Sequence, residues 1–513
     1  MKKLIIITLL NCFIVTLSFS QEKPKLIVGI VVDQMRYDYI YRFWDDFGKD
    51  GFKRLVNEGH FFRNTNFGYT PTFTGPGHAS IYTGTTPSVH GIISNDWYDK
   101  INDTILYCTG DDAMYSVGTD SADGKMSPHL MLTTTFSDEL KLFNNGKVIG
   151  ISLKDRSAIF PAGHSGDVAY WMDGSGKWIS SSYYINELPM WLQEENTKDN
   201  VSKYMRGIWK VKNEFTHNLD TLLKINGRAS IKNTPFGNTI LNDLAIRILK
   251  EEKLGKNKTT DCLFISYSST DYIGHQYGPH APELADTYIR LDKDIAQLLK
   301  SIDSKVGFKN VVLFLTADHG VVSEPKELLE RNIPAGYFES TVMINGLKLH
   351  LSQNFGEGEW VKNYSNNQLF LNHNLIVKKG LELGNLQQIC ADFLLNTEGV
   401  KNTFTAKQIH QNEYQNSFNS LIQNGYNQKR SGDVMVALQT GWISKYWENG
   451  GTTHGSSYSY DTHVPLIFWG GNIQQGQTDR KIHIKDIAPT ISTILGTAYP
   501  NGCTGNPLVE ITE

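Results

Sequence analysis

Asp271 and His275, four residues apart in Asp-Tyr-Ile-Gly-His, share one side of a helical turn with Cβ atoms about 5–6 Å apart. That spacing lets both side chains ligate one cation. Asp318-His319-Gly320 closes an apolar run, and its two side chains meet at one site only if the chain turns sharply at Gly320. His454 sits in Gly450-Gly-Thr-Thr-His454-Gly-Ser, a loop whose glycines let backbone approach a ligand. With Asp33 these residues make three carboxylates and three imidazoles, a donor set suited to zinc. The set is large enough for two metals with about three protein ligands each, leaving positions open to substrate as catalysis requires. Thr74, in Pro71-Thr-Phe-Thr74-Gly-Pro-Gly-His78, is placed just before a helix expected to start after Gly77 and run through Tyr82. Free amides there favour an anion, and a bound metal can activate the threonine hydroxyl as a nucleophile by lowering its pKa. Each motif alone has a plainer reading: a helix cap with a surface histidine, a strand-end turn, a turn threonine. Of fifteen histidines these three are nominated; His78, His90 and His463 read as structural or supporting.

The elements that would bring these residues together are short apolar, β-branched runs: Leu26 to Val32, Val148 to Leu153, Cys262 to Tyr267, Val311 to Thr316 and Val464 to Trp469. None alternates polar and apolar residues, so each reads as a strand buried on both faces. Helical patterns separate them, as at Asn238 to Lys250 and Glu283 to Ile302, which indicates a mainly parallel sheet flanked by helices. In such sheets ligands bind beyond the carboxyl ends of the strands. Asp33, Lys154 with Arg156, Asp271 with His275, and Asp318-His319 each follow one of these runs, so four strand ends converge on one rim. Insertions are expected to interrupt the rhythm at about 160–235 and 335–450. The first holds an aromatic hairpin around Asp173-Gly-Ser-Gly176, a candidate for the leaving-group side; the second reads as a small subdomain with a helix near Leu386 to Leu395.

Composition bounds the function without naming it. A chain of 513 residues, 40% hydrophobic and 11% aromatic, can bury a large core and is not disordered. With 49 basic against 53 acidic side chains it has no basic footprint for nucleic acid or anionic membrane. Residues 1–20 read as a secretory signal peptide: Met1-Lys2-Lys3, a mainly apolar run from Leu4 to Phe19, and small residues before the cut. That run is short for a membrane span, which needs roughly 20 residues, and no comparable run follows. Export permits disulfides, but Cys108, Cys262, Cys390 and Cys503 allow three pairings and show no metal-site spacing. Cys262 reads as a buried strand residue.

Asp33, Thr74, Asp271/His275, Asp318-His319 and His454, in this order, resemble the alkaline phosphatase superfamily, including the type I phosphodiesterases and nucleotide pyrophosphatases, across essentially the whole chain. Within it the sequence looks like the PafA-type periplasmic alkaline phosphatases with a threonine nucleophile. The resemblance implies one α/β sandwich domain over 21–513 and two zinc ions per chain. One zinc would be held by Asp271, His275 and His454, and the other by Asp33, Asp318, His319 and the Thr74 oxygen. It further implies phosphate monoester hydrolysis through a phosphothreonine, with Asn95, Lys154 and Arg156 on the substrate, in a periplasmic or secreted protein expected to be a monomer. Thr74-Gly-Pro-Gly-His78 is not the Cys/Ser-x-Pro-x-Arg segment of sulfatases. Lys154-Asp-Arg156 matches the Lys-x-Arg pair of the monoesterase branch and separates the chain from the phosphodiesterases, which share the threonine and an asparagine like Asn95. Two zinc ions would balance three carboxylates and a Thr74 alkoxide, so a monoester dianion would match Lys154 and Arg156. The alternatives are a phosphodiesterase or nucleotide pyrophosphatase, and a noncatalytic secreted metal- or phosphate-binding protein.

Overall fold

The computed structural model describes residues 23–512, so the leader read at 1–20 lies outside the described residues. Its principal strands are β1 (Leu26–Val32), β2 (His60–Asn66), β3 (Val148–Ser152), β4 (Val168–Met172), β5 (Trp178–Ser181), β6 (Asp261–Tyr267), β7 (Val311–Thr316), β8 (Val361–Ser365), β9 (Gln368–Leu371), β10 (Val400–Thr405), β11 (Val434–Leu438) and β12 (His463–Gly470). The main sheet has eleven strands; from the edge strand Gly476–Thr478 the order is β2, β12, β7, β1, β6, β3, β4, β5 and Ser116–Val117, with Ile482–His483 also on β2. Strands β7, β1, β6, β3 and β4 run parallel. Every residue of β1, β6 and β7 is buried, which explains why their sequences do not alternate. Each Val, Leu, Ile or Phe side chain so buried contributes about 1.5–3 kcal/mol, making this strip the stiff base of the molecule.

The strand at 463–470 departs from the parallel pattern: β12 runs antiparallel to both β7 and β2. A run buried on both faces carries no signal of direction. The reversal matters, because β12 begins at the rim where β7 ends, and β2 ends there too.

The helices that position the site and the elements around it include α1 (Thr74–Thr83), α2 (Asp155–Ala162), α3 (Phe236–Glu251), α4 (Ser269–Tyr277), α5 (Pro282–Lys305), α6 (Leu383–Leu395) and α7 (Phe418–Gly425). α1 starts three residues before Gly77, with Thr74 as its first residue rather than the one before it. Pro76 is tolerated in this first turn because its missing N–H would have had no intrahelical partner. A Cβ on Gly77 would lie 2.3 Å from the Asp318 carbonyl oxygen, so α1 presses onto that loop only because residue 77 has no side chain.

Strands β8, β9, β11 and β10 form a separate antiparallel sheet. It packs with α6 around its own core of Leu347, Trp360, Leu369 and Leu394. The aromatic hairpin forms as expected, β4 against β5, but it completes the edge of the main sheet and buries Trp171 and Trp178 there. Cys108, Cys262, Cys390 and Cys503 are all unpaired, and Cys262 is buried in β6. No helix among the described residues is long and apolar enough to cross a membrane.

Candidate active site

The parallel register places the ends of β1, β6, β7 and β3 side by side, and the residues that follow them meet. Asp33 leaves β1, held by its N–H to the Tyr267 carbonyl and by the Thr270 hydroxyl on its own carbonyl. Asp271 and His275 lie on α4 with Oδ1 and Nε2 3.1 Å apart. Asp318 and His319 follow β7, where the chain bends at Asp318 rather than at Gly320 and a close approach fixes the segment: Gly320 N–H donates to the Asp461 carbonyl, and a Cβ on Gly320 would sit 2.1 Å from the Tyr460 carbonyl oxygen. His454 arrives from the loop before β12.

The three imidazoles are oriented alike. Nδ1 of His275, His319 and His454 bonds the carbonyl of Thr452, Gly320 and Thr72, at 2.7, 2.9 and 2.7 Å. A carbonyl can only accept, so Nδ1 carries the proton and each Nε2 turns its lone pair inward, the arrangement of metal-ligating histidines. Nε2 of His319 lies 3.4 Å from Asp33 Oδ1 and 3.7 Å from Asp318 Oδ2; Nε2 of His454 lies 3.8 Å from Asp271 Oδ1. The His319 and His454 rings stack with centroids 3.5 Å apart. Burial holds both below the ordinary histidine pKa, which keeps them neutral and able to ligate.

Two groups of donor atoms lie within 4.8 Å of one another: Asp271, His319 and His454, and Asp33, Asp318 and His319. Ligands of a tetrahedral zinc are roughly 3.4 Å apart, so the spacing fits a cation at each with small adjustments. Asp33 Oδ1 and Asp318 Oδ2 are buried with no hydrogen-bond partner. Burial, with Asp271 and Asp318 nearby, pushes the Asp33 carboxyl well above its usual range. Orphaned carboxylate oxygens of this kind need a cation.

Lys154 supplies part of that charge. Its buried ammonium bonds Asp33 Oδ2 and Asp271 Oδ2, both at 2.6 Å, and lies 4.9 Å from the centre of the Tyr272 ring. Sequence reasoning places this lysine on the substrate, and the structure sets it between two carboxylates. Arg156, in the first turn of α2, donates through Nη1 to the Tyr107 hydroxyl at 2.9 Å, and that hydroxyl donates to Asp155 Oδ1. Its buried Nε has no partner.

Thr74 opens α1 with Oγ1 3.4 Å from His319 Nε2. Asn95 is fixed beside it: its Oδ1 accepts the Gly75 N–H at 2.8 Å, which leaves its NH2 to donate elsewhere. His78 bonds the Thr74 carbonyl through Nδ1 and Ser266 Oγ through Nε2, and its Nδ1 lies 3.3 Å from Asp318 Oδ2.

Sequence reasoning does not nominate Gln34. Its Nε2 donates to Asp271 Oδ1 and its main-chain N–H to Asp318 Oδ1, with φ at +66°. The one available signal is position, since Gln34 directly follows Asp33. Tyr107 is missed as well, and nothing local marks it.

A parallel sheet carrying two carboxylate–imidazole groups and a threonine at a helix start on its rim offers two candidate cation sites beside a candidate nucleophile. The chain belongs to the type I phosphodiesterase / nucleotide pyrophosphatase family, whose pattern it matches over residues 27–460. Within that family it is similar to alkaline phosphatase PafA of Elizabethkingia meningoseptica, at 37% identity over 95% of this chain and 94% of the relative. The crystal structure of alkaline phosphatase PafA superposes with a TM-score of 0.91 at 36% identity, covering 96% of this chain and 99% of that one. A Myroides odoratus protein named calcium-transporting ATPase is 40% identical over 99% of both chains.

Proposed function

We propose that this chain is an exported, zinc-dependent alkaline phosphatase that hydrolyses phosphate monoesters through a phosphothreonine at Thr74. The observation that carries the reading is Thr74 itself, the first residue of a buried helix, with its hydroxyl beside His319 and the Asn95 amide at its shoulder. The likeness to PafA supports monoesters, and the segment 21–513 is read as one catalytic domain acting as a monomer.

Asp33, Asp318 and His319 would hold one zinc with Thr74 Oγ1, and Asp271 and His454 the other together with His275, which stands outside the two close donor groups but has its Nε2 3.1 Å from Asp271 Oδ1. Bound there, zinc supplies Lewis acidity that lowers the pKa of a hydroxyl and neutralises charge on phosphoryl oxygens. The chain's own groups do the rest. The Asn95 NH2 faces the phosphoryl group, and a donor aimed at the developing charge lowers the barrier. Arg156, oriented by its bond to the Tyr107 hydroxyl, binds two non-bridging oxygens, which a diester could not offer without placing its second ester group against the guanidinium. Lys154 offsets the repulsion between Asp33 and Asp271, so that both carboxylates stay close. Thr74 Oγ1 bonds to phosphorus as the bond to the ester oxygen breaks; the hydroxyl loses its proton and the departing oxygen gains one, so the alcohol leaves neutral. Water then attacks the phosphothreonine in line, releasing phosphate and restoring the hydroxyl. The test is kcat/KM for an aryl phosphate monoester against the matching diester; a diester preference would favour the phosphodiesterase reading.

A further inference from the structure

Beside His454 a cavity of about 340 Å³ opens between the catalytic rim and the β8–β11 subdomain. Its walls include Phe73, Phe418, Trp447 and Tyr458, and among the described residues lining it there is no lysine or arginine. It joins the site at two points. Phe73 immediately precedes Thr74 and sets its ring edge-on to His454 at 5.4 Å; Trp447 stacks on His275 at 5.3 Å, with 10° between the planes. The cavity therefore borders the Asp271/His275/His454 side of the centre, whereas Asp33 and Asp318 stand on the other. In-line transfer places the leaving oxygen opposite the attacking one.

We infer that this cavity takes the leaving alcohol of the ester and favours an uncharged aromatic ring, of a phenol or a nucleoside, over a charged or acyclic alcohol. The inference rests on the phosphatase reading and names its substrate class. Size supports it: an engineered cavity of about 150 Å³ holds benzene, so this one has room for a second ring. Two lining residues also carry buried polar atoms without a partner, Asp461 Oδ1 and Ser365 Oγ. Such atoms suit the polar edge of a ring and do nothing for a simple hydrocarbon. The aromatic hairpin at 168–184, which the sequence offers for this role, contributes nothing to the lining.

The experiment compares kcat/KM for phenyl phosphate and a nucleoside 5′-monophosphate, each relative to glycerol phosphate, in the wild type, Phe418→Ala and Tyr458→Ala. Taking the change of each ratio between proteins cancels the intrinsic reactivity of the esters. The expected result is a fall of about tenfold in the ratio for at least one ring-bearing ester, with glycerol phosphate turnover kept. A fall with phenyl phosphate alone assigns a phenol-sized ring, and a fall with the nucleotide alone a nucleoside. Unchanged ratios in active variants overturn the inference and leave the phosphatase reading standing. Should a variant lose stability, competition in the wild type decides: free phenol or nucleoside is expected to inhibit glycerol phosphate hydrolysis competitively, and inhibition by neither overturns the inference. Failure of the wild type to hydrolyse any of the three esters overturns the phosphatase reading itself.

Discussion

The side-chain amide of Gln34 donates to Asp271 Oδ1 at 2.7 Å, so the residue that follows Asp33 orients a carboxylate on a different element. Its main chain does the same for Asp318. A left-handed φ at a non-glycine position is tolerated where the surroundings determine it, and here both bonds depend on it. Gly274 makes the room: a Cβ there would lie 1.9 Å from Gln34 Oε1.

Gln34→Ala is expected to lower metal affinity about 10–100-fold, the usual loss when a group supporting a ligand is removed. Gly274→Ala should act in the same direction by displacing the amide. Competition with a chelator measures both. Unchanged affinity in Gln34→Ala would show that Asp271 needs no support.

Lys154 and Arg156 are expected to separate. Arg156→Ala removes a donor aimed at the substrate and should lower monoester kcat/KM about 10²–10³-fold with little effect on diesters. Lys154→Ala strips the cation from two buried carboxylates, and breaking such a pair costs about 3–5 kcal/mol. Its melting temperature should fall, and added zinc should recover part of the loss. Equal behaviour of the two variants would contradict these assignments.

Much of this site is legible in the amino-acid sequence. The strand-end positions of Asp33, Asp271, Asp318 and Lys154 follow from apolar runs and a parallel register, which is a regular geometry. His454 can be nominated only by its loop, because the reversal of β12 that delivers it leaves no mark on a doubly buried strand. The start of α1 is hidden because Gly75, Pro76 and Gly77 read as a turn. In fact they form a first turn pressed against Asp318. Gln34 escapes notice because a glutamine carries no chemistry until its φ and its neighbours are known.

Metal removal should cost stability as well as activity. Without a bound metal, Lys154 is the one lysine or arginine bonded to Asp33 and Asp271 among the described residues, and two buried carboxylate oxygens lack hydrogen-bond partners. A ligand present at a thousand times its Kd contributes about 4 kcal/mol. Chelation is expected to lower Tm accordingly, with zinc restoring Tm and turnover together and magnesium restoring neither. Full turnover after exhaustive chelation would contradict the proposed metal requirement.

Asp294, on α5 and bonded by the Thr239 hydroxyl, is buried far from these ligands in sequence, and burial pushes its carboxyl up to about 7 from 3.8. The folded chain thus holds this proton over a range where the unfolded chain has lost it. Stability is lost as pH rises from about 4 to about 7, by up to about 1.4 kcal/mol per pH unit. Asp294→Asn should stabilise the protein at pH 8 and change little at pH 4, as denaturant unfolding at the two values would show. Equal effects at both would mean that Asp294 does not titrate in this range.

The most direct test of the central claim is acid quenching of the zinc-loaded enzyme during turnover of a phosphate monoester, followed by peptide mass analysis, beside Thr74→Ala carried through the same steps. Phosphate on Thr74 is expected in the wild type, and no label and no turnover in the variant, with its zinc retained. Turnover by Thr74→Ala at the wild-type rate, or phosphate found on a different residue, would contradict the proposed mechanism.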